Sequence, residues 1–232
     1  MKLTVRYLLI IVLQVLLITS FASPPAYSWK ISRLNTASNA GYLSPLEKEI
    51  ILEINKLRSD PARYANEYIA PLAKNYKQRL LHYPGDLPLL TREGVAALNE
   101  CVRELKRQKP LPLVSPDYGL TKAARDHVRD QSRSGRTGHL GSDRSSMRNR
   151  IERYGIWQTR IAENIAYGGK SARQIIVYLL IDDGIRDRGH RKNFLNPELK
   201  VVGVATGRHP EYGIMSVMDF AGGFKSKNNE EN

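Results

Sequence analysis

The sequence predicts an α/β chain (α+β in arrangement), with helices packed on a small antiparallel sheet. Three observations predict it. Capped amphipathic runs recur between Ser44 and Asn196. The last third ends in two apolar, β-rich runs, KVVGVATG and GIMSVMDFAGG, around the turn RHPEY, which reads as a hairpin. A further strand-like run, RIAENIAYG, lies between two helical segments. So small a sheet is stable only if helices cover it.

The 232 residues are 41% hydrophobic and 25% charged, a balance that supports a folded core. Lys2 and Arg6 precede an apolar run from Tyr7 to Ala22, and small residues and prolines follow in FASPPAYS. This is the pattern of a signal peptide over residues 1–28, with acceptable cleavage after Ala22 or Ser28. The run is at the short end for a spanning helix. It predicts export, to a periplasmic or extracellular location. Residues 29–43, polar and mixed, read as a linker, 44–224 as the folded domain and 225–232 as a polar tail.

Within the domain, Ser44, Pro45 and Glu47 form a capping box with proline at the first helical position, and Ile50, Ile54 and Leu57 recur at helical spacing. Asp60-Pro61 restarts a short helix through Tyr68. Residues 71–90, with HYPGDLPLL, are turn-rich and read as a loop. Thr91 is expected to cap the next helix, whose stripe is Val95, Leu98, Val102 and Leu105. KPLPLVSPDYG is another loop. LTKAARDHVRDQSRSG is a helix with Leu120, Ala123, Ala124, His127 and Val128 on one side and Gly135 as its stop. SSMRNRIERYG is a short helix ending at Gly155. Ser171 caps ARQIIVYLLIDDG, a strongly apolar helix stopped near Gly184, and RDRGHRKNFLNP holds a short helix ended by Pro197.

A single cysteine, Cys101, excludes an internal disulfide and reads as a small, partly buried apolar residue. The net charge of +13 permits contact with anionic surfaces. Nucleic acid is not expected, because no zinc-finger spacing or basic-aromatic motif is present. His82, in a loop, and His209, at the hairpin turn, read as exposed, and His127 as a core histidine with one hydrogen bond. His139 and His190 differ, since each directly follows a glycine at the edge of a helix or loop. Glu163 opens the strand, while Asp182 and Asp183 end a greasy helix, where two negative charges oppose the helix dipole and call for a positive partner. That partner is an arginine (Arg186, Arg188 or Arg191), an imidazolium or a metal. Two imidazoles and one or two carboxylates are a usable ligand set for Zn²⁺ or another divalent cation, or an acid/base pair.

The ordered pieces GHLGSD, AENIAYG, LLIDDGIRDRGHRKNFLNP and VVGVATG resemble the CAP superfamily, which comprises cysteine-rich secretory, antigen 5 and pathogenesis-related 1 proteins, and its bacterial exported members in particular. The resemblance implies an α-β-α sandwich and a cleft lined by two histidines and two acids. Matched residue by residue, these are His139, Glu163, His190 and either Asp182 or Asp183. The tryptophan expected just before the second acid is absent from YLLIDD, and Arg144 stands where a glycine is expected. The implied function is a monomeric binding module for a small hydrophobic ligand, lipid or sterol-like, or for an envelope component. The alternatives are a metal-dependent hydrolase or peptidase with His139, Glu163 and His190 as catalytic candidates, and a purely structural polar network.

Overall fold

The computed structural model describes residues 28–227, so the expected signal segment up to residue 27 and the last five residues lie outside the described residues. The elements in order are α1 (Ile31–Leu34), α2 (Pro45–Ser59), α3 (Pro61–Tyr64), β1 (Tyr76–Lys77), β2 (Leu80–Leu81) and β3 (Leu89–Leu90). Then come α4 (Val95–Arg107), β4 (Ser115–Pro116), α5 (Tyr118–Ser134), α6 (Met147–Tyr154) and β5 (Gly155–Tyr167). The last four are α7 (Ala172–Ile181), α8 (Gly189–Phe194), β6 (Val201–His209) and β7 (Gly213–Ser226).

The main sheet has the order β4-β6-β7-β5. The β5–β7 and β6–β7 pairs are antiparallel, and only the short β4 runs parallel to its neighbour. Because side chains alternate along a strand, each strand serves two cores. Val202, Val204, Met218, Phe220, Ala162 and Ala166 pack with α2, α4, α7 and α8. On the other face, Ala205, Val217, Ile165 and Ala221 pack against α5 and α6. The chain is therefore a three-layer arrangement, helix, sheet and helix. α5 comes so close at Gly203 that a Cβ there would collide with the Leu120 and Thr121 backbone.

The capping box at Ser44 forms as the sequence predicts, and the Glu47 carboxylate also accepts from the Thr206 amide at 2.9 Å, tying α2 to the sheet. Gly135 ends α5 in the left-handed conformation. Several expectations need correction. Residues 29–43 are not a linker: α1 and the turns after it bury Leu34, Ala37 and Leu43. Residues 71–90 are not a plain loop, since they carry helical turns and the small sheet β1-β2-β3. Thr91 does not cap α4; its hydroxyl donates to the Arg79 carbonyl, and Gly94 takes the cap position. The stop of α7 is Asp182, at φ 55°, two residues before Gly184. β7 runs to Ser226, and the Lys227 amide bonds to the Tyr154 carbonyl, so the start of the expected tail is folded in. His209 is fully buried: Nε2 donates to the Arg136 carbonyl, and Nδ1 accepts from the Glu211 and Tyr212 amides. The aromatic rings of Tyr167 and Tyr212 pack on it, which polarity along the sequence does not reveal. Cys101 is wholly rather than partly buried, and burial pushes its thiol up to about 12.

Candidate functional site

β5 is an edge strand of the main sheet, and its Glu163-Asn164 pair sends one side chain to each face. Glu163 shares the α5 face with Ile161 and Ile165, whereas Asn164 shares the α7 face with Ala162 and Ala166. The two histidines flank this strand.

On the α5 face, His139 Nδ1 lies 2.7 Å from Glu163 Oε1. Glu163 is buried, and its other oxygen accepts from Arg150 Nη2 at 2.6 Å. Burial pushes the Glu163 carboxyl up, but the His139 hydrogen bond and the Arg150 charge outweigh it and hold the group below the usual carboxylate range. An ionised Glu163 accepts from both partners, so His139 donates from Nδ1 and its Nε2 is the remaining ring nitrogen of a side chain that is 56% exposed. His139 also borders a hollow of about 330 Å³ with Leu140, Ser146, Met147, Arg148 and Glu163.

The turn that presents His139 is held from behind. Gly138, at φ 93°, takes a backbone conformation that a side chain would strain. Its carbonyl accepts from Gln131 Nε2 at 2.7 Å and from His127 Nε2 at 2.9 Å, and its amide donates to the Tyr167 hydroxyl at 2.7 Å. The Tyr167 hydroxyl donates in turn to Gln131 Oε1. Arg150 completes the support by donating to the His139 carbonyl at 3.1 Å. His127 is thus the buried, hydrogen-bonded histidine expected of its helix face, and desolvation lowers its pKa.

On the other face, His190 Nδ1 lies 2.7 Å from Asp182 Oδ1, and Asp182 Oδ2 accepts from the His190 amide at 3.0 Å. Of the two aspartates, Asp182 is the one that meets His190. Asp182 leaves α7 in the left-handed region and turns its buried carboxylate onto the first turn of α8, where amide donors and the positive helix end offset the charge. Asp183 turns elsewhere; it accepts from the Arg92 and Glu93 amides just before α4. Nor do the arginine side chains neutralise the pair. Arg188 binds Glu93 and Glu100, and Arg191 binds Glu100 and Glu104, clamping α8 to α4. Asn164 Nδ2 donates to the His190 carbonyl at 3.1 Å, while Asn193 Nδ2 donates to Asn164 Oδ1 at 2.8 Å. The asparagines join the two histidine–carboxylate pairs through the edge strand.

Among the described residues, no group of three or more His, Cys, Asp or Glu side chains is placed to hold a metal ion. Each carboxylate is committed to an Nδ1, which leaves one nitrogen on each ring. This donor set does not fit a zinc centre with three or four protein ligands.

Sequence reading missed Arg150, Gln131, Tyr167 and Asp219. The last lies directly across from Glu163 in the β5–β7 register and is fully buried, with neither oxygen hydrogen-bonded. Burial, and then the charge of Glu163, raise its pKa well above the ordinary value. A lone acid inside the apolar run SVMDFA was the available signal.

The GH, EN and GHR segments, distant in sequence, therefore meet around one strand. A family model described as CAP, the cysteine-rich secretory protein family, matches residues 52–220. The chain belongs to the CAP family. One CAP-related chain is the uncharacterized protein YkwD of Bacillus subtilis strain 168, 28% identical over 128 residues. That match covers 55% of this chain and 46% of YkwD, so the chain spans under half the length of this relative. Two solved structures are also similar. An extracellular protein containing an SCP domain from Bacillus anthracis str. Ames has a TM-score of 0.40 at 23% identity, over 48% of this chain and 34% of that one. An outer surface protein from Borrelia burgdorferi has a TM-score of 0.41 at 17% identity, over 56% of this chain and 89% of that one. No helix among the described residues is long and apolar enough to cross a membrane.

Proposed function

We propose that this CAP domain works outside the cytoplasm as a binding module for a small amphipathic ligand, with an apolar body and an acidic or hydrogen-bonding head. The observation that carries the reading is the hollow beside His139. Leu140 and Met147 supply apolar wall, while His139, Ser146 and Arg148 supply polar or cationic edge. Its volume of about 330 Å³ is in the range of small-molecule sites. Glu163 is already satisfied by Arg150 and His139, so it orients the ring and leaves Nε2 as the group that meets the ligand. The export-type N-terminal sequence and the relatives described as extracellular or outer-surface proteins support the location.

The test is a panel of fatty acids and sterols measured by calorimetry against the parent and against Met147→Glu and His139→Ala. Both positions are at least partly exposed, so both variants are expected to fold. Binding by the parent that weakens about tenfold or more in each variant, with circular dichroism showing each variant folded at the assay temperature, supports the reading; a tenfold loss corresponds to about 1.4 kcal/mol. No binding to any member of the panel, or equal binding by all three proteins, overturns it.

A further inference from the structure

Across the small sheet, Lys77 pairs with Leu80, and Leu80 pairs with Leu90. Directly opposed residues point to the same side, so the three form one row on one face. Leu80 is 39% exposed and Leu90 66%. Just before β3, Leu87 is 81% exposed, the most exposed large apolar side chain among the described residues. Such leucines present apolar surface to solvent.

The charge beside them is mainly positive; the exceptions lie next to Arg92, where Glu93 pairs with Arg188 and Asp183 accepts from the Arg92 and Glu93 amides. Lys74, Lys77, Arg79 and Arg92 are all exposed, and no ion pair engages any of them among the described residues. The only acid between Lys74 and Arg92 is Asp86, and Lys170 pairs with it at 3.0 Å while Gln174 donates to it. Those two bonds, and a third from Lys170 Nζ to the Gly85 carbonyl, brace the loop that carries Leu87.

We infer that this leucine-tipped, cation-ringed face docks on an anionic lipid bilayer, the leucines entering the interfacial zone and the four cations meeting headgroups. Protruding apolar side chains ringed by unpaired cations fit such a surface, because interfacial binding adds buried apolar area to attraction for anionic lipid. The inference concerns a different surface from the His139 hollow and stands whether or not that hollow binds a ligand.

The experiment uses the full chain with an environment-sensitive fluorophore attached at Leu87→Cys. Cys101 is fully buried and its thiol raised to about 12, so it does not compete for the label. A second protein carries the label at Ile156→Cys, an exposed position on β5 of the other sheet. On vesicles of phosphatidylglycerol and phosphatidylcholine, the label at position 87 should shift to the blue and be reached by bilayer-embedded quenchers, and the label at 156 should not. Phosphatidylcholine alone, high salt, or Lys77→Glu with Arg79→Glu should each weaken the response about tenfold. Both glutamate substitutions are on exposed positions, and circular dichroism checks the fold. Three results overturn the inference. One is no shift at 87. Another is equal response at 87 and 156, which means the N-terminal apolar segment alone tethers the chain. The third is a shift at 87 without lipid as protein concentration rises, which assigns the face to a second copy.

Discussion

Glu163 and Asp219 stand directly opposite one another on β5 and β7, both buried, and they ionise in opposite senses. Two buried carboxylates side by side cannot both carry charge cheaply. Arg150 and His139 hold Glu163 ionised, so burial and the charge of Glu163 keep the proton on Asp219. The consequence for stability has a definite sign. Asp219 binds its proton more tightly folded than unfolded, so its contribution is complete at low pH and is lost as pH rises through the folded value. Asp219→Asn stays neutral throughout. Its melting temperature should exceed that of the parent at pH 8, by the equivalent of roughly 1–3 kcal/mol, and the gap should close towards pH 4. A gap independent of pH counts against a neutral Asp219. Glu163 acts in the opposite sense, with stability that is lost as pH falls through its lowered value.

Arg150 is the cation that lets Glu163 stay charged under cover. Arg150→Met leaves the carboxylate buried with only the His139 bond, and removing one partner of a buried pair costs about 3–5 kcal/mol. Denaturant melts should show that loss, and Arg150→Met combined with Glu163→Gln should recover part of it. If the double variant is as unstable as the sum of the singles, the pair is not coupled.

Tyr167 reaches the site only through its hydroxyl, which joins the Gly138 amide to Gln131. Tyr167→Phe keeps the ring packing on His209 and should cost about 1 kcal/mol for the lost hydrogen bonds. The informative readout is the NMR resonance of the His139 ring, which should move or broaden as its turn loosens. An unmoved resonance means that the turn is held without the Tyr167 hydroxyl.

Gly203 is where α5 presses hardest on the sheet. Gly203→Ala puts a methyl group against the Leu120 and Thr121 backbone, which cannot swing aside as a side chain can. Overpacking of this kind costs roughly 1–3 kcal/mol or more. A melting temperature within a degree or two of the parent contradicts the close approach.

Much of the architecture was legible along the chain, because caps and periodicity are local. Ser44 with Glu47, Ser171, and Gly135 each act where the sequence places them. The strands of the final hairpin are visible in the apolar runs on either side of RHPEY. The small sheet at 76–90 was not legible, since two-residue strands carry no period. Residues 29–43 looked like a linker because polar and apolar residues mix there without a period, yet buried Leu34, Ala37 and Leu43, and the Thr36 and Trp29 hydrogen bonds, fasten them.

By itself, the sequence determined the longer helices, the hairpin and the family, and it offered the two glycine-preceded histidines and Glu163 as candidates. Those are properties of neighbouring residues or of ordered motifs. Only the tertiary structure decided which aspartate meets His190, because Asp182 and Asp183 differ by one step of a chain that leaves its helix in a left-handed turn. It also divided the site into two pairs on opposite faces of the edge strand, and it set Asp219 beside Glu163. The physical reason is that alternation along β5 and register across to β7 choose which charges share a low-dielectric space, and neither can be read from residues more than fifty positions apart.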